Sequence, residues 1–236
     1  MSKRSATTQR ASKYFKAEEG NSAKCEMSKK LLGKFFENNC EKVAKALLGK
    51  FLVRRIGDKR ITCKIVEVES YFASEDKASH SYNGQTRRNE AMFMKPGTLY
   101  VYVTYGMYHC TNISCGGPGD AVLIRAVEPI TNTQIMTQCR SKHSKSAKEI
   151  VGTNISNGPS KLCQALHIEK SMDKLNLMTS DELWLENGDA VPEEQIICCK
   201  RIGLSKRSGV WQNKPFRFYI KGNKFVSVRD KPAEST

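Results

Sequence analysis

The sequence predicts a single-domain α+β protein with a curved, mainly antiparallel sheet, flanking helices and a protruding β-hairpin. Two observations favour this class. Several short segments alternate apolar and polar residues with period two and are bounded by turns rich in glycine, proline or asparagine. Helical spacing occurs at three places, next to these segments. The 236 residues are enough to bury a substantial core.

The charge balance indicates a polyanionic partner. Thirty-nine Lys and Arg against twenty-four Asp and Glu give a net charge of +15 and a pI near 9.4. Each phosphate that a cationic side chain neutralises releases counterions, so this excess favours nucleic acid. An anionic membrane surface and simple solubility are the alternatives. No apolar run approaches the ~20 residues of a membrane span, and no secretory signal is recognisable.

The cysteines favour reduced thiols in an intracellular protein. The chain has nine of them, an odd number, and no Cys-x-x-Cys pair. A chain of this length does not depend on a disulfide framework. His109, Cys110 and Cys115 lack the second matched pair that a structural zinc site needs. We therefore expect buried free thiols and neither a metal nor an organic cofactor.

The chain divides into a tail and a domain. Residues 1–30 are polar and basic and contain few large apolar side chains, which predicts a disordered basic tail. The domain is expected to span residues 31–232. Its first element is an amphipathic helix over residues 35–48, closed by Gly49.

A hairpin follows, with strands at residues 51–53 and 61–69. If the second strand stays extended, Glu67, Glu69 and Tyr71 point to one face. Two carboxylates and an aromatic ring on one face are the beginnings of a site. The alternative is the solvated face of an edge strand.

A second hairpin begins at Lys95-Pro96-Gly97 and alternates apolar residues with tyrosine and threonine up to Ser114. Gly106 marks its reversal, directly after Tyr105. In a basic protein, a tyrosine near a hairpin tip suggests a wedge between stacked bases. The alternative is an ordinary amphipathic hairpin with core tyrosines.

The strand at residues 121–129 reads as buried, so its Arg125 needs a carboxylate partner such as Glu69 or Glu67. Residues 131–150 begin as a helix and end as a loose connection. Another helix starts near Asn157, where Ser160 or Asn157 caps it and Lys161 suits a phosphate. Short strands are predicted at 183–185 and 195–199, with a terminal strand pair at 216–220 and 225–228.

Together these segments resemble the alkyladenine (3-methyladenine) DNA glycosylases of the mammalian type. The resemblance runs in family order from about residue 35 to 230. The matching motifs are EVESY (67–71), ED (75–76) with His80, MFMKPGTLYVY (92–102), YGMY (105–108), NIS (112–114), LIRA (123–126), GPSKLCQAL (158–166) and RFY (217–219).

The resemblance implies a catalytic role for Glu69 and Arg125. Glu69 would be the general base that activates a water for attack on C1′, where the departing base leaves an electron-poor sugar. Arg125 would place that water and keep Glu69 ionised. The backbone carbonyl of Leu204 would supply the remaining water contact.

The resemblance also implies how damage is read. The target nucleotide must leave the stack at a cost of a few kcal/mol. Tyr105 would fill the vacated space, and Tyr71, His80 and Tyr102 would form the aromatic pocket, in which a cationic alkylated purine stacks well. Asn112 would crowd the 2-amino group of guanine and so disfavour the normal base.

Thr86, Arg88, Ser160 and Lys161 would contact the DNA backbone. The sequence departs from the family at two places. The loop from His80 to Thr86 is one residue shorter, and residues 204–209 differ from the family's histidine-bearing loop. Both differences bear on the DNA contacts and on the range of lesions accepted.

The expected protein is therefore a monofunctional, monomeric glycosylase of base excision repair. It would remove 3-methyladenine, 7-methylguanine, hypoxanthine or ethenoadenine from double-stranded DNA. No lysine is evident beside Glu69 for Schiff-base chemistry, so the enzyme would leave an intact abasic site. A eukaryotic source predicts the nucleus. Two rivals stay open: a non-catalytic binder of damaged or structured nucleic acid, and a carbohydrate-active enzyme using Glu67 and Glu69 as an acid pair.

Overall fold

The computed structural model describes residues 29–143 and 150–235. Nearly all of the predicted basic tail lies outside the described residues, as does part of the loose connection after the helix expected from residue 131. From Leu31 onward the chain forms one compact unit. Within the described ranges, no helix has the length and apolar character needed to cross a membrane.

Among the described residues, eight antiparallel strands form one open sheet, and together with short helices they confirm the predicted α+β class. The strands are β1 (Phe51–Ile56), β2 (Lys59–Tyr71), β3 (Leu99–Thr104), β4 (Tyr108–Ser114), β5 (Ala121–Pro129), β6 (Leu183–Glu186), β7 (Ile196–Cys199) and β8 (Arg217–Ile220). The main order is β3-β4-β5-β2-β1-β6, and β8 pairs with both β2 and β7.

The long strand β2 lies at the centre of the sheet. One of its edges pairs first with β1, over residues 59–64, and then with β8, over residues 67–69. The other edge pairs with β5 over residues 63–71. Because both edges of β2 are occupied, the alternative of a solvated edge strand is wrong.

Bulges between β2 and β5 turn the carboxylates of β2 away from the main core. Val66 on β2 and Arg125 on β5 have no partner in the ladder. A bulge changes which face the following residues occupy. The β2 side chains in the main core are therefore those at positions 61, 63, 65 and then 68, a step of three. Glu67 and Glu69 point to the opposite face.

In the described part of the chain, five short α-helices surround the sheet. They are α1 (Gly33–Phe36), α2 (Cys40–Leu47), α3 (Thr133–Ser141), α4 (Pro159–Ala165) and α5 (Lys231–Glu234). The single helix predicted for residues 35–48 is two helices, because Asn39 starts the second by accepting a hydrogen bond from the Glu41 N–H at 2.9 Å. Gly49, with a φ of +83°, follows α2 as expected for the residue that closes a helix.

The predicted terminal strand pair is wrong. Its first strand exists as β8, but β8 pairs with β7 and β2. Residues 225–228 form turns, because their amides bond elsewhere: the Phe225 N–H donates to the Asn223 side chain at 2.9 Å and the Ser227 N–H donates to Glu67 at 2.6 Å. The segment thus covers the buried face of β2.

The β3–β4 hairpin reverses at the predicted position and carries an exposed tip. Thr104 pairs with Tyr108, and the chain reverses at Tyr105 and Gly106, whose φ angles are +50° and +71°. The left-handed region is uncommon for a residue other than glycine. Tyr105 is 88% exposed, so the tip tyrosine is not a core residue.

Candidate active site

Two carboxylates lie buried at the centre of the sheet. Glu67 and Glu69 have fully buried side chains on the same face of β2. Burying a carboxylate is costly unless cations and hydrogen-bond donors compensate for the lost water. The partners of these two side chains therefore determine what the site can do.

Arg125 bridges the two carboxylates, which confirms the partner predicted for it. Its Nε donates to Glu67 Oε1 at 3.1 Å, and its Nη1 lies 3.2 Å from Glu69 Oε1. Burial alone would lower the pKa of Arg125, but the charges of Glu69 and Glu67 outweigh it and raise the pKa. The guanidinium is permanently charged and held between the two acids.

Glu69 receives two further hydrogen bonds. The Ile202 N–H donates to Oε1 at 2.8 Å, and the Tyr71 hydroxyl donates to Oε2 at 2.8 Å. Burial and the neighbouring Glu69 raise the pKa of Tyr71 well above its ordinary value, so this hydroxyl keeps its proton. Two hydrogen-bond donors and the Arg125 cation, from three parts of the chain, thus fix the orientation of the Glu69 carboxylate.

Glu67 is enclosed on all sides. Besides Arg125 it accepts hydrogen bonds from Arg217 Nη1 at 3.0 Å, the Ser227 N–H at 2.6 Å and the Ser227 hydroxyl at 2.9 Å. Three of these donors contact Oε1 and one contacts Oε2, so protein groups surround the carboxylate, and its contacts hold Arg125 in place. An acid pair that flanks one bond from both sides would need Glu67 to be accessible, so this arrangement argues against the carbohydrate-active alternative.

A cavity of about 500 Å³ opens next to Glu69. Glu69 itself does not line it and lies behind Tyr71 and Arg125, which do. The predicted site residues that line the cavity are Tyr71, His80, Tyr102, Tyr105, Asn112, Arg125, Ser160 and Leu204. The structure therefore brings most of the predicted pocket residues together, from segments up to 133 positions apart in the chain.

One wall of the cavity is aromatic. The His80 and Tyr102 rings meet edge to face with centroids 4.6 Å apart, and His80 Nδ1 hydrogen-bonds the Tyr100 hydroxyl at 2.9 Å. Burial and the charge of Arg88 lower the pKa of His80, although part of its ring is open to solvent. A neutral imidazole offers a planar face without a competing charge.

Asn112 lies at the floor of the cavity. Its side chain is 5% exposed, and its Nδ2 donates to the Tyr100 carbonyl at 3.2 Å. Tyr100 is also its partner in the β3–β4 ladder. The hydrogen bond fixes which atoms of the amide face the cavity.

The predicted backbone contacts are spread around the cavity. Thr86 is exposed and hydrogen-bonds Asn89 Oδ1, and Arg88 is an exposed loop residue close to His80. Lys161 Nζ donates to Asn157 Oδ1 at 2.7 Å. Neither predicted cap is used at α4: Gly158 occupies the N-cap position, and no side chain accepts from the first amides.

Sequence reasoning missed three residues at the cavity: Ile202, which lines it, and Asp76 and Arg201, which do not. Arg201 forms a buried ion pair with Asp76, and Ile202 donates its amide to Glu69. In the sequence, Asp76 stands out only as part of the ED motif at residues 75–76. The Ile202 bond comes from its backbone amide, which every residue except proline has, so the residue type gives no sign of it. Among the described residues no group of three or more His, Cys, Asp or Glu side chains is arranged to hold a metal ion.

A basic α+β protein with an aromatic cavity and a carboxylate paired to an arginine behind the cavity wall has the features of an enzyme that acts on a planar ring. The family comparison is more specific. A model of the methylpurine-DNA glycosylase family matches residues 34–224. The chain belongs to this family, which confirms the resemblance carried by its motifs and makes it a DNA glycosylase, a DNA-repair hydrolase of N-glycosyl bonds.

Individual relatives agree with this assignment. The chain is 43% identical over 231 residues to mouse DNA-3-methyladenine glycosylase. The matched region covers 95% of this chain and 67% of the mouse protein. It is 45% identical over 205 residues to the human enzyme of that name, covering 85% of this chain and 68% of the human protein. A probable DNA-3-methyladenine glycosylase of Encephalitozoon cuniculi is 45% identical over 190 residues, or 80% of this chain and 88% of that protein.

Proposed function

We propose that the protein releases alkylated and deaminated purines from double-stranded DNA and leaves an intact abasic site. The substrate class comprises 3-methyladenine, 7-methylguanine, hypoxanthine and ethenoadenine. The observation that carries the proposal is the position of Glu69, oriented by Arg125, Tyr71 and Ile202 behind the wall of an aromatic cavity. The proposed state is a monomer, and in a eukaryotic cell the proposed location is the nucleus.

Glu69 acts as the general base of this reaction. Its Oε2 accepts one hydrogen bond from the described residues, that of Tyr71, so a lone pair is left for a water proton. As the water oxygen bonds to C1′, its proton passes to Glu69 and the C1′–N bond electrons leave with the base. A cationic alkylated purine leaves as a neutral molecule without an acid catalyst, whereas hypoxanthine and ethenoadenine leave as anions that take a proton from water. Arg125 and the Leu204 carbonyl orient the water.

The flipped base stacks between Tyr71 and the wall formed by His80 and Tyr102. A base sandwiched between two rings needs a centroid separation of about 7 Å, twice a van der Waals contact. The 4.6 Å between His80 and Tyr102 excludes a base between those two rings. The opposite face is therefore Tyr71, whose hydroxyl contacts Glu69 and so links the base to the attacking water.

Tyr105 is the wedge that replaces the flipped nucleotide. We expect Tyr105→Ala to excise hypoxanthine from duplex DNA about 10- to 100-fold more slowly, because stacking on an aromatic side chain contributes about 1–3 kcal/mol per base. Single-turnover rates on a duplex with one inosine measure this. The control is the same strand without its complement, where the loss should shrink. Equal losses on both substrates would contradict the wedge role.

Asn112 is the residue that excludes guanine. We expect Asn112→Ala to raise the release of guanine from undamaged duplex on the order of 10-fold, because the side chain that crowds the 2-amino group is gone. Chromatography of the released bases measures the change, with hypoxanthine release as the internal reference. Unchanged guanine release together with slower hypoxanthine release would mean that Asn112 only supports the hairpin through its bond to Tyr100.

The DNA backbone is proposed to cross the rim of the cavity at Thr86, Arg88, Ser160 and Lys161. Thr86, Arg88 and Lys161 stand outside the cavity lining, and Ser160 lies on it. Contacts of this kind position the duplex without reading its sequence.

The experiment that tests the function is base release from four duplexes, carrying hypoxanthine, ethenoadenine, 3-methyladenine or only normal bases. The proposal expects release from at least one damaged duplex and far less from the normal one. Tight binding to damaged DNA without release of any base would contradict the proposal and would support the alternative, a non-catalytic binder of damaged or structured nucleic acid.

A further inference from the structure

Arg201 is a buried cation that stacks on Tyr71 and does not itself line the cavity. Its side chain has no exposed surface and forms a two-point ion pair with Asp76, with Nη1–Oδ2 at 2.5 Å and Nη2–Oδ1 at 2.9 Å. The same nitrogens donate to the Ser70 carbonyl at 2.9 Å and the Trp211 carbonyl at 3.2 Å. These bonds tie the segment after β7 to the end of β2.

Arg201 lies next to both uncharged donors that hold Glu69. The following residue, Ile202, donates its amide to Glu69 Oε1. The guanidinium also stacks on the Tyr71 ring at 4.6 Å, and the Tyr71 hydroxyl donates to Glu69 Oε2. The cavity is lined by Tyr71 and Ile202, with Arg201 behind them.

We propose that Arg201, fixed by Asp76, is a positioning residue for base excision. It sets the plane of Tyr71, on which the flipped base stacks, and it sets the Ile202 amide that orients Glu69. This role rests on the proposed function of the site. The planar guanidinium is needed because it pairs with a carboxylate through two parallel bonds while its face stacks on a ring, which an ammonium group does not do.

The rate of the chemical step is the property that this geometry controls. A misplacement of about 1 Å at a catalytic group lowers the rate on the order of 10²-fold. DNA affinity should change little, because the backbone contacts come from other segments. A purely structural arginine would instead lower the amount of folded enzyme and leave the rate constant of each folded molecule intact.

The test is single-turnover excision of hypoxanthine by Arg201→Gln in the full chain. The rate constant and the reaction amplitude are read separately, because the amplitude counts competent molecules. Arg54→Gln is the matched control: Arg54 is also a buried arginine, but it donates to the Leu166, Arg55 and Glu182 carbonyls. We expect the rate constant to fall on the order of 10²-fold in Arg201→Gln and to be unchanged in Arg54→Gln.

Arg201→Lys is the second variant, and it is useful if the glutamine variant folds poorly. It keeps a charge next to Asp76 but loses the planar stack on Tyr71, so we expect it to remain slow with a near-normal amplitude. A wild-type rate constant in either Arg201 variant, with loss confined to the amplitude, would overturn the positioning role. Failure of the wild-type protein to release any damaged base would overturn the proposed function instead.

Discussion

Replacing Glu69 by glutamine should abolish the release of hypoxanthine while DNA binding persists. Glutamine has nearly the same shape, but it cannot take the proton of the attacking water. General base catalysis contributes about 10²- to 10⁴-fold, so we expect the single-turnover rate to fall on the order of 10³-fold. The measurement pairs excision from an inosine duplex with the dissociation constant for that duplex.

The same substitution at two other glutamates provides the comparison for this result. Glu128→Gln changes a partly exposed acid on β5 that pairs with Lys64 at 3.0 Å, and it should excise normally. Glu67→Gln removes the enclosed acid of the same β2 face. It should lower stability but keep far more activity than Glu69→Gln. Equal activity in the Glu67 and Glu69 variants would contradict the division of roles between the two acids.

Arg125→Gln should damage both stability and excision. Removing one partner from a buried ion pair costs about 3–5 kcal/mol, because the charge left behind is uncompensated. In Arg125→Gln both Glu67 and Glu69 lose their shared cation, although Glu67 keeps Arg217. Thermal unfolding should shift downward by about 2–4 °C per kcal/mol lost. Excision should fall on the order of 10²-fold as Glu69 loses an orienting donor.

The lysine variant separates charge from geometry at this position. Arg125→Lys keeps a cation but not the reach to both carboxylates, so its unfolding temperature and its rate should lie between those of wild type and Arg125→Gln. An Arg125→Gln protein with unchanged unfolding temperature and unchanged excision would show that the bridge contributes neither stability nor orientation.

Much of the sheet follows from the alternation of apolar residues. The two hairpins are recognisable in this way, whereas β5 is recognisable as a continuous apolar run, because its residues 121–127 are all buried. Even the bulge on β2 leaves a trace: the core positions 61, 63 and 65 are followed by 68. The step of three marks the bulge, where the alternation of core-facing and outward-facing side chains shifts by one residue. This shift explains why Glu67 and Glu69 do not face the main core.

The partners of those acids are harder to predict. Sequence patterns placed Glu67 and Glu69 together, but they did not show which of them would be enclosed. Ser227 decides this from 160 positions away, in a segment whose β-branched and aromatic residues suggested a strand. Its amide bonds to a carboxylate in place of a neighbouring strand, and no local pattern reports such a choice.

The roles predicted for residues that line the cavity came from the family resemblance, which assigned no role to the buried ion pair behind it. Tyr105 shows the limit of periodicity, since alternation alone predicts a core tyrosine as readily as an exposed one. Arg201 and Asp76 meet across 125 positions, and each is unremarkable in its own polar loop. Long-range ion pairs of this kind depend on how the loops pack around the sheet.

The most direct test of the central claim is an analysis of the products formed from a duplex that carries one inosine. Wild-type protein is expected to release free hypoxanthine and to leave one alkali-labile abasic site for each base released. The strand should stay intact before alkali, and borohydride should trap no covalent complex. Glu69→Gln should bind this duplex and release nothing. Release by Glu69→Gln at the wild-type rate, or a borohydride-trapped complex, would contradict hydrolysis by a water that Glu69 activates.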